Sequence, residues 1–383
     1  MSGGAHQWLL LCGYAVALAA MGYSALSALA TCKKPRTARR AVQPPPVTIL
    51  KPLCGAEPET YECLRSFCQQ DYPHYQVIFG LSDPDDAAVP IVKRLQREFP
   101  ELDLILSIER RRHGNNPKVN NLINMLSAAR HEHLVIADSD VRVRRDYLAN
   151  LIPPLLDADV GIVTCCYRGV PRPGIWSLLG SMYINTWFIP SVRVAALTGY
   201  RSFAFGATIA IRRDTLANIG GFNAISNQLA DDYWLGELTR RQGLRTVLST
   251  VEVDTFVRES NCASLIAHEL RWRRTIRNLS PCGYAFSFVT LGLPVTALQM
   301  WIAQGATAAA VIFGATTLSS ALLHLHVRGP KDSALLVFLL PVRELLHLAL
   351  WIWSFATRRV QWRGDRFLLR RDGAAQPIEG LGQ

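Results

Sequence analysis

An uncharged run of 23 residues, from Trp8 to Ala30, constrains this chain more than any other feature. At about 1.5 Å of helical rise per residue, it can cross a hydrocarbon core of about 30 Å. Small residues at Ala25, Ala28 and Ala30 could imitate a signal-peptide cleavage site. Against cleavage, Met1 to Gln7 carries no Lys or Arg, while Lys33, Lys34, Arg36, Arg39 and Arg40 follow the run at once. The positive-inside rule therefore reads residues 8–30 as an uncleaved anchor, with the basic, proline-rich linker 31–46 in the cytosol.

Apolar blocks recur near the C-terminus. Residues 283–323 are 41 positions without a charge, enough for two spans in a hairpin joined near Gln304-Gly305. Residues 334–355 are also apolar but interrupted by Pro341, Arg343, Glu344 and His347. The segment after them carries Arg358, Arg359, Arg363, Arg366, Arg370 and Arg371. That charge favours a cytosolic tail, so the expectation is two spans plus an interfacial or re-entrant segment at 334–355. The expected division is an anchor at 8–30, a globular region at 47–282, a membrane region at 283–356 and a basic cytosolic tail at 357–383.

The net charge of +11 concentrates in the two clusters that flank apolar segments. Attraction to anionic head groups accounts for it, and no nucleic-acid-binding module accompanies it. Nine cysteines show neither Cys-x-x-Cys nor a zinc-ligand spacing, which excludes a metal-finger or disulfide-scaffold reading and suits a reducing compartment.

Between the membrane segments the pattern alternates. Val47 to Leu50 reads as a buried strand, followed by helix 59–70, strand 75–81, helix 87–99, strand 102–108, helix 118–130 and strand 133–137. This succession implies an α/β domain with a mostly parallel central sheet covered on both faces. Further helices are expected at 176–192 and 234–242. In such sheets ligands bind beyond the carboxyl ends of strands, where the strand order reverses.

Asp138-Ser139-Asp140 stands at such an end. Two adjacent carboxylates suit a hard divalent cation, Mg²⁺ or Mn²⁺, able to neutralise a diphosphate; a solvated loop would look the same in isolation. Asp231-Asp232 precedes a helix, where one carboxylate can cap free amides and the other can serve as a general base, Asp232 being the candidate. In His268-Glu269-Leu270-Arg271-Trp272, helical spacing puts His268, Arg271 and Trp272 on one face. Arg271 offers a fork for phosphate and Trp272 a flat surface for a ring; a basic juxtamembrane helix is the alternative.

The order of these motifs is more specific than any one of them. Asp83-Pro84-Asp85-Asp86, Asp138-Ser139-Asp140, Asp231-Asp232 and x-x-x-Arg271-Trp272 precede apolar spans. With them come Lys51-Pro52-Leu53-x-Gly55, Asp71-Tyr72-Pro73, Asn116-Pro117-Lys118-x-Asn120-Asn121-Leu122, Gly220-Gly221, Arg343-Glu344 and Trp362-Arg363-x-x-Arg366. Through most of its length the chain resembles the inverting glycosyltransferases of the ceramide glucosyltransferase type. The full Asp138-Ser139-Asp140, and His268 where that family has Gln or Arg, bring it nearer the bacterial members, including the hopanoid-associated glycosyltransferase.

The resemblance implies a GT-A fold and a multi-pass protein of the bacterial inner membrane with its catalytic domain in the cytosol. It implies transfer of glucose or N-acetylglucosamine from a UDP-sugar to a hydroxyl of a membrane lipid, a hopanoid polyol or ceramide. Asp83, Asp85 and Asp86 would hold the uridine, and Asp138 and Asp140 the diphosphate through Mg²⁺ or Mn²⁺. Asp232 would be the base, Lys118 would approach the donor unless it is an ordinary helix-start lysine, and His268, Arg271 and Trp272 would contact diphosphate and acceptor. A processive polysaccharide synthase would share the motifs but requires more spans; a membrane scaffold or transporter component does not account for the charged α/β region.

Overall fold

The computed structural model describes residues 3–32, 43–199, 204–328, 333–362, 365–370 and 373–378. Lys33, Lys34, Arg36, Arg39 and Arg40 of the basic linker, and Arg363 and Arg371 of the C-terminal cluster, lie outside them.

Alternating apolar residues build the sheet. Strands β1 (Val47–Pro52), β2 (Tyr75–Leu81), β3 (Asp103–Ile108) and β4 (His133–Ala137) pair in parallel. All six residues of β1 are buried, as befits a strand covered on both faces. Val47, Ile49, Val77, Phe79, Val135 and Ala137 face one core with the helices Thr60–Phe67 and Val89–Glu98. Leu50, Ile78, Leu134 and Ile136 face the other, packed on Val119 and Leu122 of the helix Pro117–Met125.

Strands β5 (Val141–Arg142), β6 (Val160–Pro171), β7 (Thr208–Arg212) and β8 (Arg245–Val257) complete eight in the order β3-β2-β1-β4-β7-β6-β8-β5. Strand β7 runs antiparallel to β4 and β6, and β5 antiparallel to β8. The chain steps outward from β1 through β2 to β3, then returns to place β4 on the other flank of β1. The crevice at the carboxyl ends of β1 and β4 is therefore the switch point of the fold.

The strands at 75–81 and 133–137 have the expected bounds. The helix expected at 176–192 is instead Ile175–Tyr183, a π turn at Ile184–Phe188 and a helix Ile189–Leu197. Pro190 has no N–H to offer the preceding turn, and the wider turn absorbs that loss. The helix expected at 234–242 begins three residues earlier, as Asp231–Arg241.

Among the described residues, three helices are long and apolar enough to cross a membrane: His6–Cys32, Thr307–His326 and Val337–Ser354. The expected turn at Gln304-Gly305 is present, with both residues at positive φ. The arm before it differs: Pro281–Thr290 and Gly292–Ile302 meet at 68°. The segment expected to be interfacial or re-entrant, 334–355, falls almost entirely in one continuous helix, Ser333–Ser354, despite Pro341. Its Arg343 and His347 are buried against other helices, so two of the polar side chains that interrupt the apolar pattern turn inward.

The expected basic tail is folded. Strands β9 (Arg359–Trp362), β10 (Asp365–Leu369) and β11 (Ala375–Pro377) form an antiparallel sheet whose Val360, Phe367, Leu369 and Ala375 pack on Leu229. The Ala375 N–H donates to the Asn227 carbonyl at 2.9 Å, and Arg277 donates to Thr357 O at 2.9 Å. Sequence pattern missed this sheet because its strands are only three to five residues long.

Candidate active site

At the end of β4 the chain turns through Asp138-Ser139-Asp140 into β5, the Val141 N–H donating to Asp138 O at 3.3 Å. Lys51, fully buried near the end of β1, supports this turn from below. Its Nζ donates to the Asp138 carbonyl at 2.6 Å and lies 3.7 Å from the Phe67 ring centroid. Burial lowers the Lys51 pKa to about 8, with Cys63, Asp140 and Asp138 acting in the opposite direction.

A second lysine enters from the side. The Asn116 side chain caps the helix Pro117–Met125 by accepting from the Val119 N–H at 3.1 Å, with Pro117 in the first turn. This fixes Lys118, whose Nζ lies 2.8 Å from Asp138 Oδ1 and 2.9 Å from Asp231 Oδ2. Burial opposes the lysine's charge, but the two carboxylates outweigh it and hold Lys118 protonated. Lys118 is thus a strut between two acidic motifs rather than a solvated lysine at a helix start.

Asp231 and Asp232 open the helix Asp231–Arg241 and diverge. Asp231 turns to Lys118, while Asp232 Oδ2 accepts from the Gly206 N–H at 2.9 Å and Oδ1 from the Tyr233 N–H at 2.8 Å. A Cβ placed on Gly206 would stand 3.4 Å from each of Asp138 Oδ2, Asp232 Oδ2 and Lys118 Nζ, so these three groups converge on one point. Burial, then the neighbouring Asp231, raises the Asp232 pKa to about 6, against Lys118 and the two backbone donors. Burial also raises that of Asp138, where Lys118 opposes it and Asp140 adds to it. A carboxylate with a raised pKa beside a charged cluster in a crevice is chemically able to accept a proton from a nearby hydroxyl.

Asp140 Oδ2 accepts from Thr255 Oγ1 on β8 at 2.9 Å. Among the described residues, no three His, Cys, Asp or Glu side chains surround one point. Asp138 and Asp140 instead offer two carboxylates on one turn, and about a third of the Asp138 side chain is exposed to the crevice. That donor set suits Mg²⁺ or Mn²⁺ completed by water and phosphate oxygens, and not a cation caged by protein alone.

The other residues singled out in the sequence surround this cluster. Asp83, beyond β2, pairs with Arg110 at 3.0 Å and accepts from the Asp85 N–H at 3.2 Å. Asp86 accepts from Gly55 N–H at 2.7 Å and Ala88 N–H at 2.8 Å, which ties its loop to the end of β1 at the rim of the crevice. Strand β8 runs from Thr255 toward Glu259, whose Oε1 lies 2.6 Å from His268 Nδ1. An Asn261–Ser264 capping box starts the helix Cys262–Leu279. On it His268 and Trp272 meet with centroids 4.2 Å apart, and Trp272 stacks on Tyr183 at 5.8 Å. Arg271 is half-buried on the same helix.

Sequence reasoning gave no role to Lys51, Gly206, Thr255 or Glu259. A lysine inside the apolar run Val47 to Leu53 was a signal, since a buried lysine requires a partner. Gly206 and Thr255 carry none.

The fold is that of the GT-A glycosyltransferases. The family model described as "Glycosyl transferase family 21" matches residues 12–375, and the chain belongs to that family. It is similar in structure to a mannosyltransferase from Pyrobaculum calidifontis solved in complex with GDP-Man and Mn²⁺. The two share 22% identity and a TM-score of 0.57, over 92% of this chain and 97% of that one. In sequence it is 26% identical over 209 residues to ceramide glucosyltransferase 3 of Caenorhabditis elegans, covering 54% of this chain and 45% of the relative. To the ceramide glucosyltransferase of Candida albicans it is 35% identical over 118 residues, 28% of this chain and 22% of that one. The chain thus spans less than half the length of these relatives.

Proposed function

We propose that this chain is an inverting hexosyltransferase that moves glucose or N-acetylglucosamine from a UDP-sugar to a hydroxyl of a membrane lipid, ceramide or a hopanoid polyol. The observation that carries the reading is Asp232. Its raised pKa, its two backbone donors and its place beside Asp138 and Lys118 at the switch point suit a base for an acceptor hydroxyl. Family membership supports sugar transfer, and the ceramide enzymes among its relatives support a lipid acceptor.

In this reading Asp232 takes the proton from the acceptor hydroxyl as that oxygen attacks the anomeric carbon in line, inverting its configuration. Asp138 and Asp140 would hold Mg²⁺ or Mn²⁺, which when bound neutralises charge on the departing diphosphate. Lys118 keeps Asp138 and Asp231 at fixed separation, and Arg271 supplies a cation for the diphosphate. Asp83, Asp85 and Asp86 line the uridine end of the crevice, and His268 and Trp272 face the acceptor.

The membrane arrangement has a parity argument behind it. The sheet β9–β11 packs on Leu229 of the catalytic region, so residues 47–282 and the segment after Ser354 share one side. An even number of crossings must lie between them. In this reading Thr307–His326 and Val337–Ser354 supply two, and the bent Pro281–Thr290 and Gly292–Ile302 pair is re-entrant. With the anchor following the positive-inside rule, that shared side is the cytosol. A lipid acceptor gives the membrane segments their purpose, because lifting it from the bilayer costs about 0.8 kcal/mol per CH₂.

The test is incubation of the purified chain in ceramide- or polyol-containing vesicles with UDP-glucose or UDP-N-acetylglucosamine, with UDP release and lipid mass both measured. A single added hexose is expected; a ladder of sugars, or no UDP release with any pair, would overturn the reading.

A further inference from the structure

Resting on that reading, we propose that Arg343 of the last apolar helix is a positioning residue for the Arg271-Trp272 pair. It acts through a buried ion triad that locks the membrane region to the helix Cys262–Leu279. Glu269, Arg273 and Arg343 are each no more than 2% exposed. Arg343 donates from both Nη atoms to the Glu269 carboxylate, at 2.7 and 2.6 Å, and Arg273 Nη2 donates to the same carboxylate at 3.2 Å. The guanidinium carbons of Arg273 and Arg343 lie 4.9 and 5.3 Å from the Tyr183 ring centroid. Tyr183 in turn stacks on Trp272, and Trp272 packs on His268. His347, one turn beyond Arg343, lies 5.5 Å from the same tyrosine ring.

Glu269 and Arg273 bracket Arg271 and Trp272 on one helix, so whatever fixes the first two fixes the rotation and height of the second two. An arginine in a segment apolar enough to span a bilayer is costly unless it faces a partner inside the bundle. Three buried charges are also a poor means of holding helices together, since an apolar trio of similar volume commonly does so as well or better. What a planar fork on a carboxylate supplies is register: it matches in one orientation and is lost on sliding or rotation. Register is what the Arg271-Trp272 pair needs, because a misplacement of about 1 Å at a reacting centre can cost about a hundredfold in rate. Tyr183 transmits the same constraint to the Trp272 face.

The experiment uses the full chain in detergent–lipid micelles, with tryptophan replaced by 5-fluorotryptophan and the Trp272 resonance assigned by Trp272→Phe. The variant combines Glu269→Leu, Arg273→Met and Arg343→Met, so that no buried charge is left unpaired. The expected result is a folded protein with an undiminished melting temperature and a displaced Trp272 ¹⁹F resonance. Its kcat for the lipid acceptor should fall about tenfold or more, with KM for UDP-sugar within about twofold of the parent. An unmoved resonance, or an unchanged kcat, in the folded variant overturns the proposal. If the triple variant does not fold, Arg343→Lys, which keeps the charge and loses the fork, decides by the same two readings per folded molecule. If the unsubstituted protein transfers no sugar, the proposed function fails while the Trp272 resonance still decides whether the triad sets that ring's position.

Discussion

Two acidic loops leave the carboxyl ends of β2 and β4, the parallel strands on either side of β1, and look alike in sequence, yet the fold treats them differently. Asp83 to Asp86, after β2, is largely exposed and spends its carboxylates on backbone N–H groups, that of Gly55 among them, and on Arg110. Asp138 to Asp140, after β4, rests on buried Lys51, is gripped by Lys118 and shares its space with Asp232. The first loop is held at the surface by backbone amides and an exposed arginine, the second by side chains packed within the crevice. A carboxylate's chemistry is thus set by the field its tertiary neighbours create, and burial raises the pKa of Asp138 in the second loop and of Asp232 beside it.

If the contrast holds, substitutions should differ in size accordingly. The largest effect is expected for Asp232→Asn, an isostere that keeps the Gly206 contact and cannot take a proton. Turnover should fall by about 10³, with UDP-sugar affinity by calorimetry nearly unchanged. Turnover within about tenfold of the parent would remove Asp232 from the base role.

Next is Lys118→Met, which leaves Asp138 and Asp231 facing each other without a cation. A loss of about a hundredfold in kcat/KM is expected, with a lowered melting temperature, since a buried charge stripped of its partner is costly. Asp140→Ala is expected to cost about tenfold to a hundredfold and to blunt the response to added Mg²⁺ or Mn²⁺. Full activity of the parent in excess chelator would argue against a cation at this turn.

The pH profile sharpens the same point. Asp232 is competent when deprotonated, so kcat/KM should fall about tenfold per pH unit below its pKa of about 6 and level off above it. Stability runs the opposite way. A carboxyl whose pKa is raised on folding favours the folded state at low pH, and that contribution is lost as pH rises through about 6. An acid limb near 4 would mean that the field is absent. The smallest effect is expected for Asp86→Ala, which removes two backbone caps from an exposed loop: about 1 kcal/mol in denaturant unfolding and no more than about threefold in turnover.

The legible and illegible parts of the chain divide along similar lines. Strands β2 and β4 were readable to the residue, because a strand buried on both faces is a short apolar run bounded by turns. Strands β6 to β8 were not, since β6 and β8 each mix buried and half-buried positions along 12 and 13 residues and carry no clean period. Along the helix Ser333–Ser354 the apolar pattern is interrupted by Arg343 and His347, and only the packing shows that both are buried. The sheet β9–β11 read as a basic tail because its core is completed by Leu229, more than a hundred positions earlier in the chain.

By itself the sequence determined the apolar segments, the parallel half of the sheet and the ordered series of acidic motifs, all of which follow from local periodicity and composition. Only the tertiary structure decided which carboxylate carries a raised pKa, that Lys51 and Lys118 sit beneath and beside the central motif, and that Arg343 reaches Glu269 across 74 residues. The physical reason is range. Hydrophobic pattern is written in neighbouring residues, whereas a field or a buried ion pair depends on which distant side chains the fold brings within about 4 Å in a medium that screens them poorly.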